Sequence, residues 1–402
     1  MKTKTLISAI KTDGVEEELL TLMPTTGDIS LYFHIPFCTK KCHYCHFFVL
    51  LDKISEHKRL IEAICLDIDL WAQALSGKRL VSIYFGGGTP SLLKPEEISA
   101  ILSHVNKIIP FDPAKIEITL EANPETITKE KMRAFADCGI NRVSIGVQTL
   151  DDALLEKLGR THRAQTSINA VEATASAGFD NITIDLMYDI PCQTMESWQN
   201  TLQGVIKLPI SHLSLYNLTI EPHTVFFKYQ EKLRKELPDA ECSADMYKMA
   251  QSVLEGSGLK QYEISAFARD GAVSRHNIGY WTGRPFLGFG PSAFSYWEGK
   301  RFRAVANLNR YEEALRSSRS PVDFSEELLP EQRRRELLAI ALRLKSGVDL
   351  IDFQQQQGLL DPALMDTIHN LQKEGLLAIT QNTISLTEKG ILFYDTVAVE
   401  II

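Results

Sequence analysis

The sequence has little of what marks secreted, membrane-spanning or nucleic-acid-binding proteins. Seven cysteines among 402 residues are too few for a disulfide scaffold of this size. The apolar runs are short, strand-sized pieces, which excludes a transmembrane helix. The apolar stretch after Met1 is too short for a secretory signal, so we expect a cytoplasmic protein. Acidic residues (51) outnumber basic ones (43), which argues against a dedicated nucleic-acid binder.

Short apolar segments alternate with helical patterns over the first half of the chain. This alternation is typical of βα units that build a parallel sheet. Six consecutive units predict an α/β fold, either a doubly wound sheet or a TIM-like βα barrel, whole or partial. The predicted strands are Ile29–His34, Val81–Phe85, Ile116–Glu121, Arg142–Val147, Ile182–Met187 and His212–Leu218, and the helices lie near 53–75, 95–108, 128–137, 151–159, 165–177 and 194–206.

The second half of the chain has a different texture. The pattern over 225–258 predicts helix, and two segments rich in Gly and aromatic residues, Lys260–Phe267 and Pro285–Tyr296, predict further strands and loops. Helical patterns from Pro330 onwards and a hairpin around Gln381-Asn382 predict a small winged-helix-like domain. The predicted divisions are a lead-in with a short helix over 1–28, the core barrel over 29–260, its extension over 261–324 and the C-terminal helical domain over 325–402.

Three of the seven cysteines, Cys38, Cys42 and Cys45, fall within eight residues in a C-x3-C-x2-C spacing. They follow the first predicted strand, so their thiolates converge at the carboxyl end of that strand. Thiolates suit zinc or an iron–sulfur cluster. In a four-iron cluster, three cysteines leave one iron open to an outside ligand, as a reactive cluster needs. The spacing also leaves open a structural zinc site, completed by His34, His43 or His46.

Polar and glycine residues follow the other predicted strands where each one ends. The second strand runs into Gly86-Gly87-Gly88-Thr89, whose missing side chains let backbone amides approach a ligand. Taken singly, such residues are more often turns, caps or surface groups, but sites on this architecture are built at the carboxyl ends of the strands. A charge in an apolar run, as at Asp185, is also costly unless it is paired. The candidate polar groups at this mouth are Glu121, Gln148, Arg160 and Asp185.

The cysteine loop, with Tyr32-x-His34-Ile35-Pro36 before it, resembles the radical S-adenosylmethionine (SAM) superfamily. The resemblance implies a [4Fe-4S] cluster on the three cysteines, with SAM chelating the unique iron. It assigns the glycine run to the methionine amino group of SAM. The SAM-binding residues that it implies are Tyr32, Gly87, Gly88, Thr89, Glu121, Gln148, Arg160 and Asp185, with Tyr44 and Thr219 beside the adenine or ribose. Glu121 and Asp185 would accept from the ribose or the ammonium, and Gln148 and Arg160 would meet the carboxylate or the ribose.

Over essentially its whole length the chain resembles one branch of that superfamily, the proteins like anaerobic coproporphyrinogen III oxidase. The segment from Tyr188 to Gln193 matches this branch, with Asp189 in place of the usual Gly. The oxidases carry a fourth cysteine two residues after the third, where this chain has Phe47. The heme chaperones of the branch carry an H-N-x-x-Y-W motif, which is intact here over 276–281. These two features favour the chaperones.

The H-N-x-x-Y-W motif suits heme chemically. Neutral imidazole is a good iron ligand, and Tyr280 and Trp281 offer flat apolar area to a macrocycle. His276 is therefore the candidate heme ligand, and the alternative is that it orients a loop through a hydrogen bond. His46 stands where the chaperones usually have Asp, and it could reach the cluster or the substrate. The remaining cysteines, which we expect to be inert thiols, are Cys65, Cys138, Cys192 and Cys242.

The resemblance implies a heme chaperone that binds heme, the cluster and SAM and transfers heme to hemoproteins of the respiratory chain. One alternative is an enzyme, oxygen-independent coproporphyrinogen III oxidase. Another is a zinc-stabilised binding module, which leaves Glu121, Gln148 and Asp185 unexplained. The expected partners are heme and recipient hemoproteins, with no nucleic acid. The sequence leaves open which hemoprotein is served, whether SAM is cleaved, whether the chain dimerises and whether it associates transiently with a membrane.

Overall fold

A computed structural model describes residues 27–402, and its largest element is a twelve-stranded sheet. Two very short strands in the cysteine loop form a separate pair. In chain order the strands up to residue 327 are β1 Asp28–Ile35, β2 Phe37–Cys38, β3 Leu50–Leu51, β4 Arg79–Gly87, β5 Glu117–Ala122, β6 Arg142–Gln148, β7 Ile182–Tyr188, β8 His212–Asn217, β9 Lys260–Glu263, β10 Ala266–Ala268, β11 Phe286–Phe289, β12 Phe294–Trp297, β13 Lys300–Ala304 and β14 Val322–Glu327.

Seven neighbouring strands of the large sheet run parallel, in the order β11-β1-β4-β5-β6-β7-β8. Antiparallel strands extend the sheet on both sides, as β12-β13-β14 and as β10-β9. In the described part of the chain β14 and β9 remain the two edges, so the barrel is partial. Because the parallel strands share one direction, their carboxyl ends meet at one mouth, where sites on such barrels are built.

The helices that join these strands each bury an apolar face against the sheet. In the helix over 54–70, Leu60, Ile64 and Ile68 recur at helical spacing and are fully buried. Each such side chain contributes about 1.5–3 kcal/mol by leaving water. In chain order the helices up to residue 316 are α1 Ile54–Leu70, α2 Ala72–Leu75, α3 Pro95–Ile108, α4 Lys129–Asp137, α5 Asp152–Leu158, α6 Ala164–Ser176, α7 Met195–Val205, α8 Val225–Lys228, α9 Gln230–Leu233, α10 Ala240–Gly256, α11 Arg275–Trp281 and α12 Leu308–Arg316.

All six predicted strands and the helices between them are present, which confirms the α/β partial barrel. One helix differs from its prediction. The pattern predicted a continuous helix near 53–75, whereas the structure has two separate helices there, α1 and α2. Trp71 lies between them, and its ring stacks on Phe302 with the centroids 5.5 Å apart and the planes at 6°. Helical periodicity cannot reveal this contact, because Phe302 lies on a strand far along the chain.

One segment after β8 differs from the sequence prediction. Residues 225–258 form three helices rather than one, because Pro238 interrupts the pattern and Asp239 caps α10. The two segments predicted as strands and loops contain β9 to β12, and α11, which carries the H-N-x-x-Y-W motif, lies between them. Ser274 caps this helix with its hydroxyl. The motif is therefore displayed from a helix, with His276 on its first turn.

The C-terminal segment forms its own small core, which confirms the predicted helical domain. Arg343 links this domain to the barrel, because its guanidinium lies 4.4 Å from the Trp281 ring and 5.2 Å from the Tyr394 ring. The elements of the domain are α13 Pro330–Ala341, β15 Val348–Asp349, α14 Leu350–Gln357, α15 Pro362–Lys373, β16 Leu377–Thr380, β17 Thr383–Leu386, α16 Glu388–Leu392 and α17 Tyr394–Ile401, with the strands paired in the order β15-β17-β16.

Two of the predicted divisions of the chain can be compared with the described residues. Strand β14 belongs to the large sheet and runs across the predicted boundary between residues 324 and 325. The lead-in helix predicted within 1–28 falls on positions outside the described residues, which begin at 27. None of the helices formed by residues 27–402 has the length and apolar character needed to span a bilayer.

A buried ion pair inside the barrel ties the sheet to α11. Glu117 is 5% exposed and Arg142 2%, and the Glu117 carboxylate lies 3.8 Å from Arg142 Nε. The same carboxylate accepts the backbone N–H groups of Arg275 and His276, each at 2.9 Å. Glu117 therefore pairs with a buried cation and caps the first turn of α11.

We predict that Glu117→Ala lowers the free energy of unfolding by about 3–5 kcal/mol, because Arg142 would stay buried without its partner. Chemical denaturation followed by circular dichroism measures this. Asp137→Ala is the control, since it removes a 3.4 Å ion pair with Arg133 on the exposed face of α4. A loss for Glu117→Ala no larger than the loss for the control would contradict the prediction.

Candidate active site at the barrel mouth

The cysteine loop leaves β1, passes through all three clustered cysteines and returns at β3. Its two ends are held together because β2 and β3 pair and the Asp52 N–H donates to the Cys38 carbonyl at 2.9 Å. A tight turn brings the Cys45 N–H within 3.3 Å of the Cys42 carbonyl. The hydroxyl of Thr89, at the end of β4, lies 3.4 Å from Cys38 Sγ. The loop is thus fixed beside the strand ends.

Two histidines anchor the loop to the barrel. His34 Nε2 lies 2.9 Å from the Phe48 carbonyl, and its Nδ1 lies 3.0 Å from the Tyr32 hydroxyl. Burial lowers the pKa of His34 to about 4, so the neutral ring donates from Nε2 and accepts at Nδ1. His43 Nδ1 lies 3.0 Å from the carbonyl of Lys157 in α5. Hydrogen bonds therefore hold the loop at His43, in its first half, and at Phe48, in its second half.

A pocket of about 390 Å³ opens between the loop and the carboxyl ends of β4 to β8. Of the residues predicted from the sequence, those that line it are Cys38, Cys42, Cys45, Gly87, Gly88, Thr89, Glu121, Gln148, Arg160 and Asp185, together with Tyr44 and Thr219. The parallel topology brings these distant positions together. Tyr32 is the exception, because it lies three residues before the end of β1 and its hydroxyl bonds to His34 instead.

The glycines at the end of β4 make room for the chain itself. A Cβ on Gly88 would lie 2.7 Å from the Phe37 carbonyl oxygen, and a Cβ on Gly87 would overlap the His34 ring. The Gly87 N–H donates to Glu121 at 3.1 Å, and the Gly88 N–H donates to β1 at 2.9 Å. The sequence predicted that these amides approach a ligand. In the structure they seat the cysteine loop and position a carboxylate, while both glycines still line the pocket.

Two half-buried carboxyl groups give the pocket its polarity. Burial raises the pKa of Glu121 to about 7, and repulsion from Asp185 adds to the shift. Burial likewise raises the pKa of Asp185 to about 6. Glu121 accepts from the Tyr84 hydroxyl at 2.7 Å, and Asp185 accepts from the Ser144 hydroxyl at 3.3 Å. Both groups therefore exchange protons near neutral pH, and a bound cation would favour their charged forms.

Arg160 forms the wall of the pocket beside the cysteines. Its Nη2 donates to the Gly146 carbonyl and to Asn123 Oδ1, both at 2.8 Å, and its Nη1 lies 3.5 Å from Cys42 Sγ. Its Nε is buried with no hydrogen-bond partner among residues 27–402. Gln148 reaches the same pocket from a β-bulge, with a left-handed φ of 67°. An unsatisfied buried donor at this wall fits a ligand that brings an acceptor.

Several residues that line the pocket were not predicted from the sequence, and three of them are polar groups at strand ends. Asn123 directly follows β5, and its amide donates to Thr89 Oγ1 at 3.0 Å while its oxygen accepts from Arg160. Tyr216 and Asn217 end β8 and line the pocket as well. Their position at the carboxyl end of a barrel strand is the signal that would have found all three.

The cysteine loop does not form a site for a single metal ion. Among residues 27–402 no three histidine, cysteine, aspartate or glutamate side chains lie close enough to hold one ion. Burial raises the pKa of Cys38 to about 11 and also raises that of Cys45, so metal binding would release protons. Three thiols that line one pocket without meeting at a single point fit a cluster better than zinc, whose ligands all meet at one atom.

His276 lies deeper in the barrel than the pocket, and it is 1% exposed. Its Nδ1 lies 2.9 Å from the Ser82 hydroxyl and its Nε2 2.8 Å from the Tyr280 hydroxyl. Burial, with nearby arginine charges, lowers its pKa to about 3. Its ring packs 4.9 Å from that of Tyr84. This geometry suits a positioning role, and heme ligation through Nε2 would require the bond to Tyr280 to open.

Comparison with known proteins identifies the family. The profile of the Radical SAM superfamily matches residues 32–204, and that of the HemN C-terminal domain matches residues 328–393. The heme chaperone HemW of Bacillus subtilis is 33% identical over 92% of this chain and 97% of that protein. The chain belongs to the HemW family of radical SAM proteins. HemW of Lactococcus lactis is 34% identical over 90% of this chain and 94% of that protein.

Relatives outside the bacteria cover a similar share of the chain. The mitochondrial radical S-adenosyl methionine domain-containing protein 1 of Bos taurus is 32% identical over 94% of this chain and 88% of that protein. Among solved structures, the coproporphyrinogen III oxidase HemN from Escherichia coli has a TM-score of 0.81 over 96% of this chain and 93% of that one. At 23% identity this likeness shows the fold alone, and it agrees with the partial barrel. Membership of the radical SAM superfamily implies a [4Fe-4S] cluster and SAM.

The Asp189 that replaces a usual Gly in this branch has a backbone explanation. Asp189 adopts a left-handed φ of 62°, the conformation that glycine enters most easily. Its carboxylate accepts from the Asn217 amide and from the Ser243 hydroxyl, each at 2.5 Å. These bonds offset the strain of a side chain at this turn, which lies just beyond β7 at the mouth.

We predict that Gly88→Ala destabilises the protein by about 1–3 kcal/mol, because the new Cβ would press against the Phe37 carbonyl and push the cysteine loop away from β4. Thermal unfolding of the full chain measures the effect. Gly256→Ala is the matched control, since a Cβ at the end of α10 meets open space and a helix favours Ala over Gly. Equal melting temperatures for the two variants would show that the loop tolerates the added atom.

Proposed function

We propose that this chain is a heme chaperone that holds a [4Fe-4S] cluster and SAM, binds heme and delivers it to hemoproteins of the respiratory chain. The observation that carries the proposal is one pocket in which the three cysteines meet polar strand ends, with Phe47 rather than a fourth cysteine in the lining. Relatives named heme chaperone HemW that match nearly the whole chain support the same function. We expect this transfer to occur in the cytoplasm.

The proposed cofactor contacts follow the lining of the pocket. The cysteines Cys38, Cys42 and Cys45 would hold the cluster. The SAM contacts would come from Gly87, Gly88, Thr89, Glu121, Gln148, Arg160 and Asp185, with Tyr32 acting from behind the lining through His34. When bound, the cluster and SAM supply radical chemistry. The chain contributes two carboxylates for positive charge and a guanidinium for a carboxylate, all lining one pocket.

Phe47 favours the chaperone over the oxidase. The oxidase branch that the sequence resembles has a thiol at this position, whereas Phe47 offers an apolar ring that is 53% exposed at the mouth. Such a ring can pack on a flat macrocycle. The likeness to HemN at 23% identity concerns the fold and brings no activity with it.

One anaerobically reconstituted preparation tests the proposal. We expect about four irons and about four sulfides per chain, and saturable binding of heme. Incubation with coproporphyrinogen III, SAM and reductant is expected to give no protoporphyrinogen. Iron, sulfide and absorbance assays measure the first two results, and porphyrin chromatography measures the third.

Paired cysteine variants provide the control for that experiment. Cys45→Ser should lose iron, whereas Cys242→Ser, on α10 away from the pocket, should keep it. Zinc bound in place of iron would overturn the radical SAM assignment of the loop. Formation of protoporphyrinogen would identify an oxidase, and absence of heme binding would end the chaperone proposal.

We also predict that SAM binding weakens as the pH falls from about 8 to about 6. The raised pKa values of Glu121 (about 7) and Asp185 (about 6) mean that both carboxylates gain protons in this range and lose the charge that attracts cationic SAM. Each group can weaken affinity by up to about tenfold per pH unit below its pKa. Isothermal titration across this range measures the slope. Glu121→Gln should bind more weakly at pH 8 and show a shallower slope, and a flat profile for the unmodified chain would refute the prediction.

A further inference from the structure

The mouth of the pocket carries a histidine that the proposed cluster and SAM contacts leave unused. His46 follows Cys45, its side chain is exposed and it lines the pocket together with Phe47. The two rings lie 4.7 Å apart with their planes at 29°. Within residues 27–402 neither ring nitrogen of His46 has a hydrogen-bond or ion-pair partner. Both nitrogens are therefore open to a ligand.

The other nine histidines are placed less well to meet a ligand at the mouth. All ten lie within the described residues. Five are buried, namely His34, His57, His162, His212 and His276. Two are partly buried and bonded, His43 to a carbonyl of α5 and His104 to Asp69. The last two, His223 and His369, are exposed but do not line the pocket. Within residues 27–402, His46 is thus the accessible imidazole at this site.

Two lysines of the same loop add positive charge at the rim. Lys40 and Lys41 are exposed and line the pocket. Lys41 Nζ donates to the Phe47 carbonyl at 3.2 Å. No carboxylate among residues 27–402 lies within ion-pair distance of either ammonium group. Uncompensated cations at a pocket mouth favour a ligand that carries carboxylates.

Apolar surface completes the rim. Phe47 is half exposed, and Val49 and Leu218 line the same opening. Further along the loop's exit, Leu51 and Ile54 are 68% and 69% exposed. Large apolar side chains that are exposed around a pocket mark a binding site for an apolar partner. An imidazole, an apolar ring and two exposed ammonium groups together match an iron porphyrin with two propionates.

We propose that heme binds at this rim with His46 as the axial iron ligand, the edge of the Phe47 ring against the porphyrin face and the propionates toward Lys40 and Lys41. The inference rests on the proposed chaperone function and names the place of its cargo. A neutral imidazole nitrogen is a common axial ligand of heme iron. His46 offers an accessible ring nitrogen without rearrangement, whereas His276 would first lose its bond to Tyr280. The site is a feature of this chain, because the heme chaperones that it resembles usually have Asp at this position.

Heme titration of the reconstituted full chain, followed by the Soret difference spectrum and by electron paramagnetic resonance of ferric heme, tests the site. His46→Ala is expected to raise the Kd for heme by about tenfold or more and to remove the spectrum of histidine-ligated iron. Added imidazole is expected to restore that spectrum. His223→Ala removes an exposed histidine outside the pocket and should bind heme as the unmodified chain does.

A second variant separates the site from the stability of the loop. His46→Asp introduces the residue usual in the related chaperones, so it should keep the cluster and still lose histidine ligation. Iron and sulfide are counted on every variant. If the unmodified chain binds no heme, the proposed function fails. If it binds heme and both His46 variants bind equally well, the site is wrong, and loss of heme in His276→Ala alone would assign the ligand to His276.

Discussion

The site depends on how closely the cysteine loop can approach the end of β4. Gly88 has no Cβ to keep the Phe37 carbonyl away, and the Thr89 N–H donates to that same carbonyl at 2.7 Å. This contact brings the Thr89 hydroxyl to Cys38 Sγ. With one cysteine fixed against a barrel strand, the short spacing of the loop determines where the other two can lie. A close backbone approach between two elements thus decides where a cluster can assemble.

The second constraint is electrostatic. Glu121 and Asp185 are half-buried at the pocket, and the loss of water around them raises the pKa of both groups, while Arg160 keeps an unsatisfied Nε at the same wall. A pocket that holds such groups is costly without a ligand, because each buried charge or donor lacks some of its compensation. A zwitterionic ligand with a positive centre near the carboxylates and a carboxylate near the guanidinium would offset these costs together. The polarity of the pocket is thus matched to a molecule of that kind.

The support behind the pocket extends into the H-N-x-x-Y-W helix. His276 packs on Tyr84, whose hydroxyl donates to Glu121, and the first turn of α11 is capped by Glu117. At its other end the helix meets the C-terminal domain, where Trp281 packs on Arg343. The motif therefore lies between Glu121, a proposed SAM contact, and the C-terminal domain. A substitution in this motif would therefore disturb the position of Glu121 in the pocket through Tyr84, without any direct contact between the motif and a ligand.

Much of this architecture follows from local patterns, and the parts that do not follow share one cause. Short apolar strands alternating with amphipathic helices predicted the partial barrel, and the rule that sites form at strand ends brought Glu121, Asp185 and the cysteines to one pocket. The break at Trp71 depends on a ring from a distant strand, and the burial of His276 depends on where α11 packs. Gln148 adopts its left-handed conformation because it lies at a β-bulge. Tyr32 does not line the pocket, and its hydroxyl bonds to the His34 ring. Contacts between remote residues leave no periodic trace in a single sequence.

Residues just after α13 cover one open edge of the large sheet. The Arg343 carbonyl accepts the Ile264 N–H at 3.1 Å, and the Lys345 N–H donates to the Tyr262 carbonyl at 3.0 Å, beside a bridge between Glu263 and Leu344. An uncovered strand edge is a template for pairing with another polypeptide. A chain cut before α13 would present β9 bare, so the C-terminal domain also serves as a guard against edge-to-edge aggregation.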